Sequence, residues 1–324
     1  MNFPFNAYWG ALVGAFLTTW MTLPLWRAWC LRVGLVDDPG HRKIHHAPLP
    51  LAGGLAVLTG LVVPLLAGAI AARLELLGTH TASLLSYGFS RRALELIAIL
   101  GGALGMVALG CWDDKQELRP AMKFTGQCFI AALVAAAGVR ITLFVHSALF
   151  SYLITVLWIL TVTNAFNFMD NMNGLCAGLG AIASLCFGLI AAAAGQYLVA
   201  LIALAAAGAL LGFIPYNYPK ATAFLGDAGS HLVGYLLAVI AILPHFYSRR
   251  NQDVLAVFKP LLILAVPLLD LVWVVLLRWK SGKPFYLGDT NHLSHRLVRR
   301  GWSPTRAVLL IWLLAAALGS LAVL

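Results

Sequence analysis

Charged residues are scarce in this chain of 324 amino acids. Lys, Arg, Asp and Glu together make up 10% of it, and only 12 residues are acidic. An ordinary soluble domain carries a charge at about a quarter of its positions. This shortage, alongside 61% hydrophobic residues, excludes the soluble classes and predicts a polytopic membrane protein.

Paired cysteines and an early positive charge are also missing. The five cysteines form no CxxC pair and lie in or beside apolar runs, so we expect small core residues rather than a disulfide frame or a metal site. No Lys or Arg precedes Arg27, whereas a cleaved signal peptide carries positive charge before its apolar stretch. We therefore expect a retained first span with its N-terminus outside.

Long apolar runs occupy most of the chain. About 20 apolar residues suffice for a helix to cross roughly 30 Å of hydrocarbon, and backbone groups in lipid must be bonded internally, so the runs predict helices. No internal repeat or second domain is visible, which indicates one domain over residues 1–324. We predict an all-α fold of about ten transmembrane helices. They are expected near residues 7–31, 50–71, 93–112, 121–139, 148–163, 174–194, 197–215, 229–247, 256–279 and 305–324.

The loops between these runs alternate in character. The formal net charge is +10, which in a soluble protein would suggest a nucleic-acid partner. Here the basic residues lie in short loops at segment ends, where they fix orientation, so no nucleic acid is expected. With the N-terminus outside, most basic and most acidic residues fall in the inside loops. This distribution predicts one polar site on the cytoplasmic face.

Asp113 and Asp114 are the strongest local signal. A carboxylate buried in lipid costs several kcal/mol, so both must face water, a cation or a ligand. Adjacent carboxylates also repel each other, and a divalent cation or a metal-bound polyphosphate removes that repulsion. Lys123, in the following helix, is placed to reach phosphate oxygens, or alternatively to extend its ammonium to the membrane surface.

A second signal is a polar residue at every third position. Asn164, Asn167, Asp170 and Asn173 share one face if this stretch is helical. Four amide or carboxylate groups on one narrow stripe between two apolar spans favour a ligand or metal role. An amphipathic loop helix is the alternative.

A third signal is the turn from Gly226 to Ser230. Its glycines suit a tight turn at the start of a helix, whose free N–H groups attract anions, and Asp227 can hold a divalent metal. Simple helix capping by Asp227 or Ser230 explains the same pattern.

The remaining polar segments lie nearer the two ends. Residues 37–50 are rich in cations and proline, which suits an orientation anchor, and Gly53–Gly54 lets backbone approach a helix or a ligand closely. Near the C-terminus, His292, His295 and Arg296 would form one cationic patch on a helix, which suits phosphate better than zinc. Asp270 lies within a span, where pairing with a cation across helices is the favoured interpretation.

Taken in order, these segments resemble the polyprenyl-phosphate N-acetylhexosamine-1-phosphate transferase family, known as glycosyltransferase family 4. The family pattern matches Asp113, Asp114, Leu118, Pro120 and Lys123, then Asn164, Asn167 and Asp170, then Gly226 and Asp227, and finally His292, His295 and Arg296. The stretch from Pro267 to Arg278, with Phe285 and Asp289, resembles the antigen-initiating branch, which uses a small UDP-sugar.

The chain departs from the family pattern at three positions. Asn171 replaces a glycine, and Asn173 replaces an aspartate that contacts uracil. Asn can still hydrogen-bond to uracil. Ser294 stands where related enzymes have a third histidine.

The resemblance implies a function. The protein would transfer a sugar 1-phosphate, as N-acetylhexosamine 1-phosphate, from a UDP-sugar to undecaprenyl phosphate and release UMP. The product would initiate a cell-envelope polysaccharide such as O-antigen or a teichoic acid linkage unit. Mg²⁺ is the implied cofactor, with Mn²⁺ as its alternative, and the bacterial cytoplasmic membrane the implied location. A homodimer is left open. The alternatives are lipid I synthesis from a muramoyl-pentapeptide donor and, from another class, a secondary transporter.

The resemblance also assigns residue roles. Asp113, Asp114 and Asp170 would be catalytic, and Asp227 with Asn167 would hold the metal. The diphosphate would be bound by Lys123, His292, His295 and Arg296. Asn164 and Asn173 would contact the nucleotide, and Arg42 and Lys43 the lipid phosphate.

Overall fold

The computed structural model describes residues 5–37, 48–74, 76, 83, 90, 92–142, 145, 147–244, 254–284, 286 and 289–324. Its helices are α1 Phe5–Val33, α2 Gly53–Arg73, α3 Ala93–Gln116, α4 Pro120–Ala136, α5 Ala148–Met169, α6 Leu175–Ala193, α7 Tyr197–Asn217, α8 Gly226–Ile242, α9 Lys259–Ile263, α10 Ala265–Lys280, α11 Leu293–Arg299 and α12 Pro304–Val323. A 3₁₀ helix, Val254–Phe258, precedes α9. Two short strands, β1 Val36–Asp37 and β2 Leu49–Pro50, pair antiparallel.

The helical membrane architecture predicted from the apolar runs is confirmed. Within the described part of the chain, six helices are long and apolar enough to cross a membrane, namely α2, α3, α5, α6, α7 and α12. A seventh span arises if Ala256–Ile263 and Ala265–Lys280 are counted together, although they are bent by 68° at the break between them. Helices α4 and α8 have 17 residues each and are shorter than a typical span.

Two predicted boundaries are wrong in the same way. Helix α3 continues to Gln116 and α5 to Met169, several residues beyond the expected ends at 112 and 163. The polar residues that follow the apolar runs are therefore helical. Their side chains form hydrogen bonds with other parts of the protein, so the helices continue beyond the last apolar residue.

The centre of the molecule is formed by α6, α7 and α8, whose residues are mostly buried. Helix α7 packs on α1 and α6, while α8 packs on α3 and α5. The outer helices turn large apolar side chains outward. Along one side of α5, for example, Leu149, Leu153 and Leu157 are exposed by 70%, 63% and 58%, which is the pattern of a surface in contact with lipid.

The N-terminus of α8 is held tightly by its neighbours. A Cβ atom at Gly54 would overlap the backbone of Ala228 and Gly229, and one at Gly110 would overlap the backbone of Asp227 and Ala228. Small residues at such crossings let helix backbones approach closely in a membrane. The expectation that Gly53–Gly54 allows a close helix approach is thus confirmed.

The loop before α8 is pinned as well. The N–H groups of Gly53 and Gly54 donate to the carbonyl oxygens of Phe224 and Leu225 at 2.9 and 3.2 Å, and the Phe224 N–H donates to Pro50 at 3.0 Å. Backbone hydrogen bonds on both sides therefore fix where α8 begins.

Candidate active site

A cleft of about 2170 Å³ opens where α3, α4, α5 and α8 meet. Its wall includes most of the predicted site residues that the structure describes: Asp113, Asp114, Lys123, Asn164, Asn167, Asp170, Asn173, Asp227 and His295. Residues more than 100 positions apart are thereby brought to one place. The cleft is the candidate active site.

The cleft contains an ammonium group shared by two carboxylates. Lys123 Nζ lies 2.8 Å from Asp113 Oδ2 and 2.8 Å from Asp227 Oδ2. The second oxygen of Asp113 accepts the Leu118 N–H at 2.8 Å, across the turn in which Glu117 adopts a φ of 47°. Lys123 sits in the first turn of α4, which Pro120 opens. Both carboxylates therefore point at one positive charge at the wall of the cleft.

Asp114 faces the start of α8. Its Oδ1 accepts the Asp227 N–H at 2.8 Å, and its Oδ2 accepts the Ala228 N–H at 3.1 Å. Free N–H groups at a helix N-terminus carry partial positive charge, which a carboxylate satisfies well. These two N–H groups are accordingly occupied by Asp114. The catalytic role of Asp114 stays a prediction, and the geometry adds a structural one.

Asp114→Asn tests the structural role of Asp114. The amide oxygen can still accept one N–H, but the amide nitrogen faces the other donor, so the cap is weakened. We expect a loss of about 1–2 kcal/mol of stability, the size of a lost N-cap, which thermal unfolding in detergent measures. Asp114→Ala should destabilise the protein more. Equal melting temperatures for all three proteins would contradict the capping role.

Asn167 joins the carboxylate cluster from α5. Its Nδ2 donates to Asp227 Oδ1 at 2.5 Å and to Ser230 Oγ at 2.9 Å. Asp227 is thus contacted through one oxygen by an amide and through the other by Lys123. The two residues predicted to hold a metal, Asp227 and Asn167, lie side by side.

A neutral layer lies one helical turn away. Asn164 Nδ2 donates to Gln127 Oε1 at 2.8 Å, and Gln127 Nε2 lies 3.2 Å from His231 Nε2. Gln127 and His231 are fully buried. Helices α4, α5 and α8 each contribute one side chain to both layers. Lys123, Asn167 and Asp227 form the first layer, and Gln127, Asn164 and His231 form the second, one helical turn away.

The polar loop after α5 also contributes to the cleft. Asp170 caps α5, and burial, together with the charges of Asp227 and Asp114, raises its pKa to about 8. Asn173 Nδ2 donates to the Pro219 carbonyl at 3.2 Å. Ser294 Oγ donates to Asn171 Oδ1 at 2.6 Å. Two of the three departures from the family pattern, Asn171 and Ser294, therefore contact each other and tie this loop to α11.

The predicted cationic patch is split by the structure. His295 lines the cleft, and burial, with His292 and Arg299 nearby, lowers its pKa. His292 is the N-cap residue of α11, and its Nδ1 lies 2.7 Å from Asp270 Oδ2. Arg296 lies over the ring of Trp273, 4.7 Å from its centroid. The diphosphate roles of these residues stay predictions, and Arg42, Lys43 and Phe285 lie outside the described residues.

The donor set suits a divalent cation. One ligand atom each from Asp113, Asp227 and His231 lie within 4.8 Å of one another. The Nδ1 atom of His231 is buried and has no hydrogen-bond partner among the residues that the structure describes. Carboxylate oxygens are the preferred ligands of Mg²⁺, and an added imidazole nitrogen is compatible with Mn²⁺. The residues present therefore fit the metal that the family resemblance implies.

Two functional candidates were not predicted from the sequence. Gln127 and His231 lie within segments that were interpreted as ordinary apolar spans. The available signal was spacing, because Gln127 follows Lys123 by four residues, and His231 follows Asp227 by four, which places each pair on one helix face.

Comparison with known proteins gives a consistent result. Residues 96–245 match the model of the family described as "Glycosyl transferase family 4". The chain is 30% identical over 94% of its length to a "Probable undecaprenyl-phosphate N-acetylglucosaminyl 1-phosphate transferase" of Bacillus subtilis (strain 168), of which it covers 81%. It is 33% identical to a "Decaprenyl-phosphate N-acetylglucosaminephosphotransferase" of Mycobacterium tuberculosis (strain CDC 1551 / Oshkosh), with 94% and 79% covered. An "Undecaprenyl-phosphate alpha-N-acetylglucosaminyl 1-phosphate transferase" of Escherichia coli (strain K12) is 29% identical, with 97% and 82% covered.

Proposed function

The chain belongs to glycosyl transferase family 4, and from this membership we propose that it transfers N-acetylglucosamine 1-phosphate from UDP-N-acetylglucosamine to a polyprenyl phosphate. The observation that carries the proposal is the cluster of Asp113, Lys123, Asn167 and Asp227 at the cleft, in a chain whose relatives bear the names of such transferases. The product is a polyprenyl-diphosphate sugar, which initiates a cell-envelope polysaccharide.

The proposed reaction exchanges one phosphoanhydride for another. An oxygen of the lipid phosphate attacks the β-phosphorus of the UDP-sugar, and the bond from that phosphorus to the bridging oxygen breaks. UMP leaves with the electron pair of that bond. Catalysis of this kind consists mainly of positioning and of neutralising phosphate charge, and both tasks suit a cleft lined by opposite charges.

Asp113 and Lys123 act on the lipid phosphate in this scheme. The Asp113 carboxylate, fixed by Lys123 and by the Leu118 N–H, orients the phosphate and accepts its proton. The Lys123 ammonium, 2.8 Å from both carboxylates, offsets the negative charge of the arriving phosphate groups. A tight cluster of this kind holds its groups in place before the substrates arrive.

Asp227 and Asn167 would hold Mg²⁺, with Asp113 and His231 as further donors within reach. When bound, Mg²⁺ neutralises diphosphate charge and favours departure of UMP. Asn164 and Asn173 supply amide groups for the nucleotide. Both Asn164 Nδ2 hydrogens are engaged, by Gln127 Oε1 and by the Leu160 carbonyl, each at 2.8 Å, so Asn164 presents its carbonyl oxygen to a ligand.

The prenyl chain requires an apolar approach to the same place. The wall of the cleft includes Phe124, Leu157, Leu160, Leu271 and Val275, from α4, α5 and α10. This apolar surface continues from the charged cluster along helices that face lipid. A lipid phosphate entering from the bilayer therefore keeps its chain on apolar side chains while its head reaches Asp113 and Lys123.

The membrane arrangement follows from the same scheme. In this scheme α1 to α8, the bent pair of α9 and α10, and α12 make ten segments that span the bacterial inner membrane, with the N-terminus outside. The cleft then opens to the cytoplasm, where nucleotide sugars are found. The basic residues near the cleft, including Lys115, Arg119 and Lys220, support this orientation because cytoplasmic loops carry an excess of positive charge.

Purified protein tests the function directly. With undecaprenyl phosphate, Mg²⁺ and UDP-N-acetylglucosamine, we expect UMP release in step with a lipid-linked sugar. Removing divalent metal with EDTA should stop it, and added Mg²⁺ or Mn²⁺ should restore it. The donor panel includes UDP-N-acetylgalactosamine and the UDP-muramoyl-pentapeptide. Release from the pentapeptide donor alone would replace the proposal by lipid I synthesis, and no release from any donor by the folded protein would overturn it.

A further inference from the structure

Asp270 is a buried carboxylate within the bent pair of helical segments, Ala256–Ile263 and Ala265–Lys280. It lies in α10 and is only 5% exposed. A carboxylate at such a position is costly unless its charge and its oxygens are matched. Both oxygens are in fact used by the segment that follows α10, since Oδ2 lies 2.7 Å from His292 Nδ1 and Oδ1 accepts the Leu293 N–H at 2.6 Å.

These two contacts fix a histidine and a helix start together. His292 is the N-cap residue of α11, and its own side chain makes no capping bond. Asp270 supplies the missing cap from another helix. With His292 Nδ1 engaged by a carboxylate, the ring proton is held on Nδ1, and Nε2 is the nitrogen left to contact a ligand.

His292 lies beside the cleft. Its ring packs edge-on against Phe168, with centroids 5.6 Å apart, and its centroid is 6.3 Å from that of His295. Phe168 and His295 both line the cleft. Arg278, a cation near the end of α10, donates from Nε to Asp289 Oδ2 at 3.0 Å and lies over the same Phe168 ring. Asp270 is therefore matched to His292, while Arg278 is matched to Asp289.

We propose that Asp270 is a positioning residue for the transfer reaction, which holds the His292 imidazole so that its Nε2 faces the diphosphate of the donor. This inference rests on the proposed function. A carboxylate bound at Nδ1 turns the ring so that Nε2 points away from Asp270 and is the nitrogen left for the anionic diphosphate. Asp270 thus sets the direction of the ring, and it touches neither substrate.

The variants Asp270→Asn, His292→Gln and the double variant test the role. An Asn at position 270 keeps the size of the side chain and can still accept the Leu293 N–H, so the cap of α11 survives while the negative charge is lost. We expect kcat to fall by about 10–100-fold, as for partners that orient functional imidazoles elsewhere, with KM for the lipid phosphate unchanged. In the His292→Gln background, replacing Asp270 should cause no further loss.

A merely structural role gives a different result. If Asp270 only secured α11, Asp270→Asn would lower kcat by the same factor with and without His292, and the melting temperature would fall in parallel. Additive losses of that kind would overturn the inference. Glu95→Gln, an equally small change in a membrane helix far from the cleft and paired with Arg92, is the matched control and should leave turnover unchanged.

A spectroscopic readout tests the pairing without turnover. In ¹⁵N spectra of histidine-labelled protein, assigned by difference from His292→Gln, the proton of His292 should lie on Nδ1, and Asp270→Asn should shift it towards Nε2. An unchanged His292 signal in Asp270→Asn would overturn the pairing. Absence of wild-type turnover with every donor would overturn the proposed function and the role of Asp270 in it. Wild-type turnover with additive variants would overturn the role of Asp270 alone.

Discussion

Asp227→Asn is expected to lower turnover by about 10³-fold while the protein still accumulates in the membrane. Asp227 is the residue on which the charged cluster converges, since Lys123 contacts one of its oxygens and Asn167 the other. A neutral amide cannot balance Lys123 or bind a divalent cation with comparable strength. Losses of about 10²–10³-fold per preorganised electrostatic group are typical, and here two such functions are lost together.

The fold should survive this change. Asp114 holds α8 through the backbone N–H of Asp227, not through its side chain, so the cap is retained. The melting temperature should therefore stay close to that of the wild type, although turnover falls. Mn²⁺ titration followed by electron paramagnetic resonance gives an independent measure, because the variant should bind Mn²⁺ more weakly than the wild type. Glu95→Gln is again the control, and near-normal turnover of Asp227→Asn would refute the assigned role.

Gly110→Ala is expected to disrupt the site from outside it. A Cβ atom at Gly110 would overlap the backbone of Asp227 and Ala228, which cannot rotate away as a side chain would. The methyl group must push α8 from α3. Overpacking of this kind costs about 1–3 kcal/mol, or more where the backbone itself must move. The displacement also draws the Asp227 and Ala228 N–H groups away from Asp114.

The same helix provides a close control for Gly110→Ala. At Gly101 an added Cβ would meet no atom of the described part of the chain within 4 Å. Both changes add one methyl group to α3, so helix propensity contributes alike in each. We expect Gly110→Ala to lower both the melting temperature and UMP release, and Gly101→Ala to change neither appreciably. Equal behaviour of the two variants would contradict the tight docking of α8.

Most of the fold was predictable because lipid imposes a simple rule. An apolar run of membrane length has to be a helix, and each of the ten predicted runs corresponds to a helix or to the bent pair. The ends were less predictable. Hydrophobicity marks where lipid contact ends, whereas backbone hydrogen bonds mark where a helix ends, and the two differ by several residues at Gln116 and Met169.

The site was predictable in its members but not in its contacts. Acids and amides in apolar surroundings identified Asp113, Asn167 and Asp227 as candidates. Adjacent residues on a helix point in different directions. The sequence does not show what lies in each direction, so it could not tell that Asp114 binds backbone N–H groups whereas Asp113 binds Lys123. His231 was missed for a related reason, since it is a candidate ligand only because it lies close to Asp113, which is on a different helix.

The pairing of α4 with α8 also constrains how the protein is made. Lys123 and Gln127 reach the membrane during synthesis before Asp227 and His231, their partners 104 residues later, have been translated. On insertion scales a lysine at the centre of a span costs about 2.5–3.5 kcal/mol, although Lys123 lies near the end of its helix. Helix α4 is also short, so its early insertion is expected to be incomplete. We therefore expect α4 to insert stably only after α8 has been translated. In ribosome-bound chains truncated before residue 226, Lys123 should react with water-soluble amine reagents.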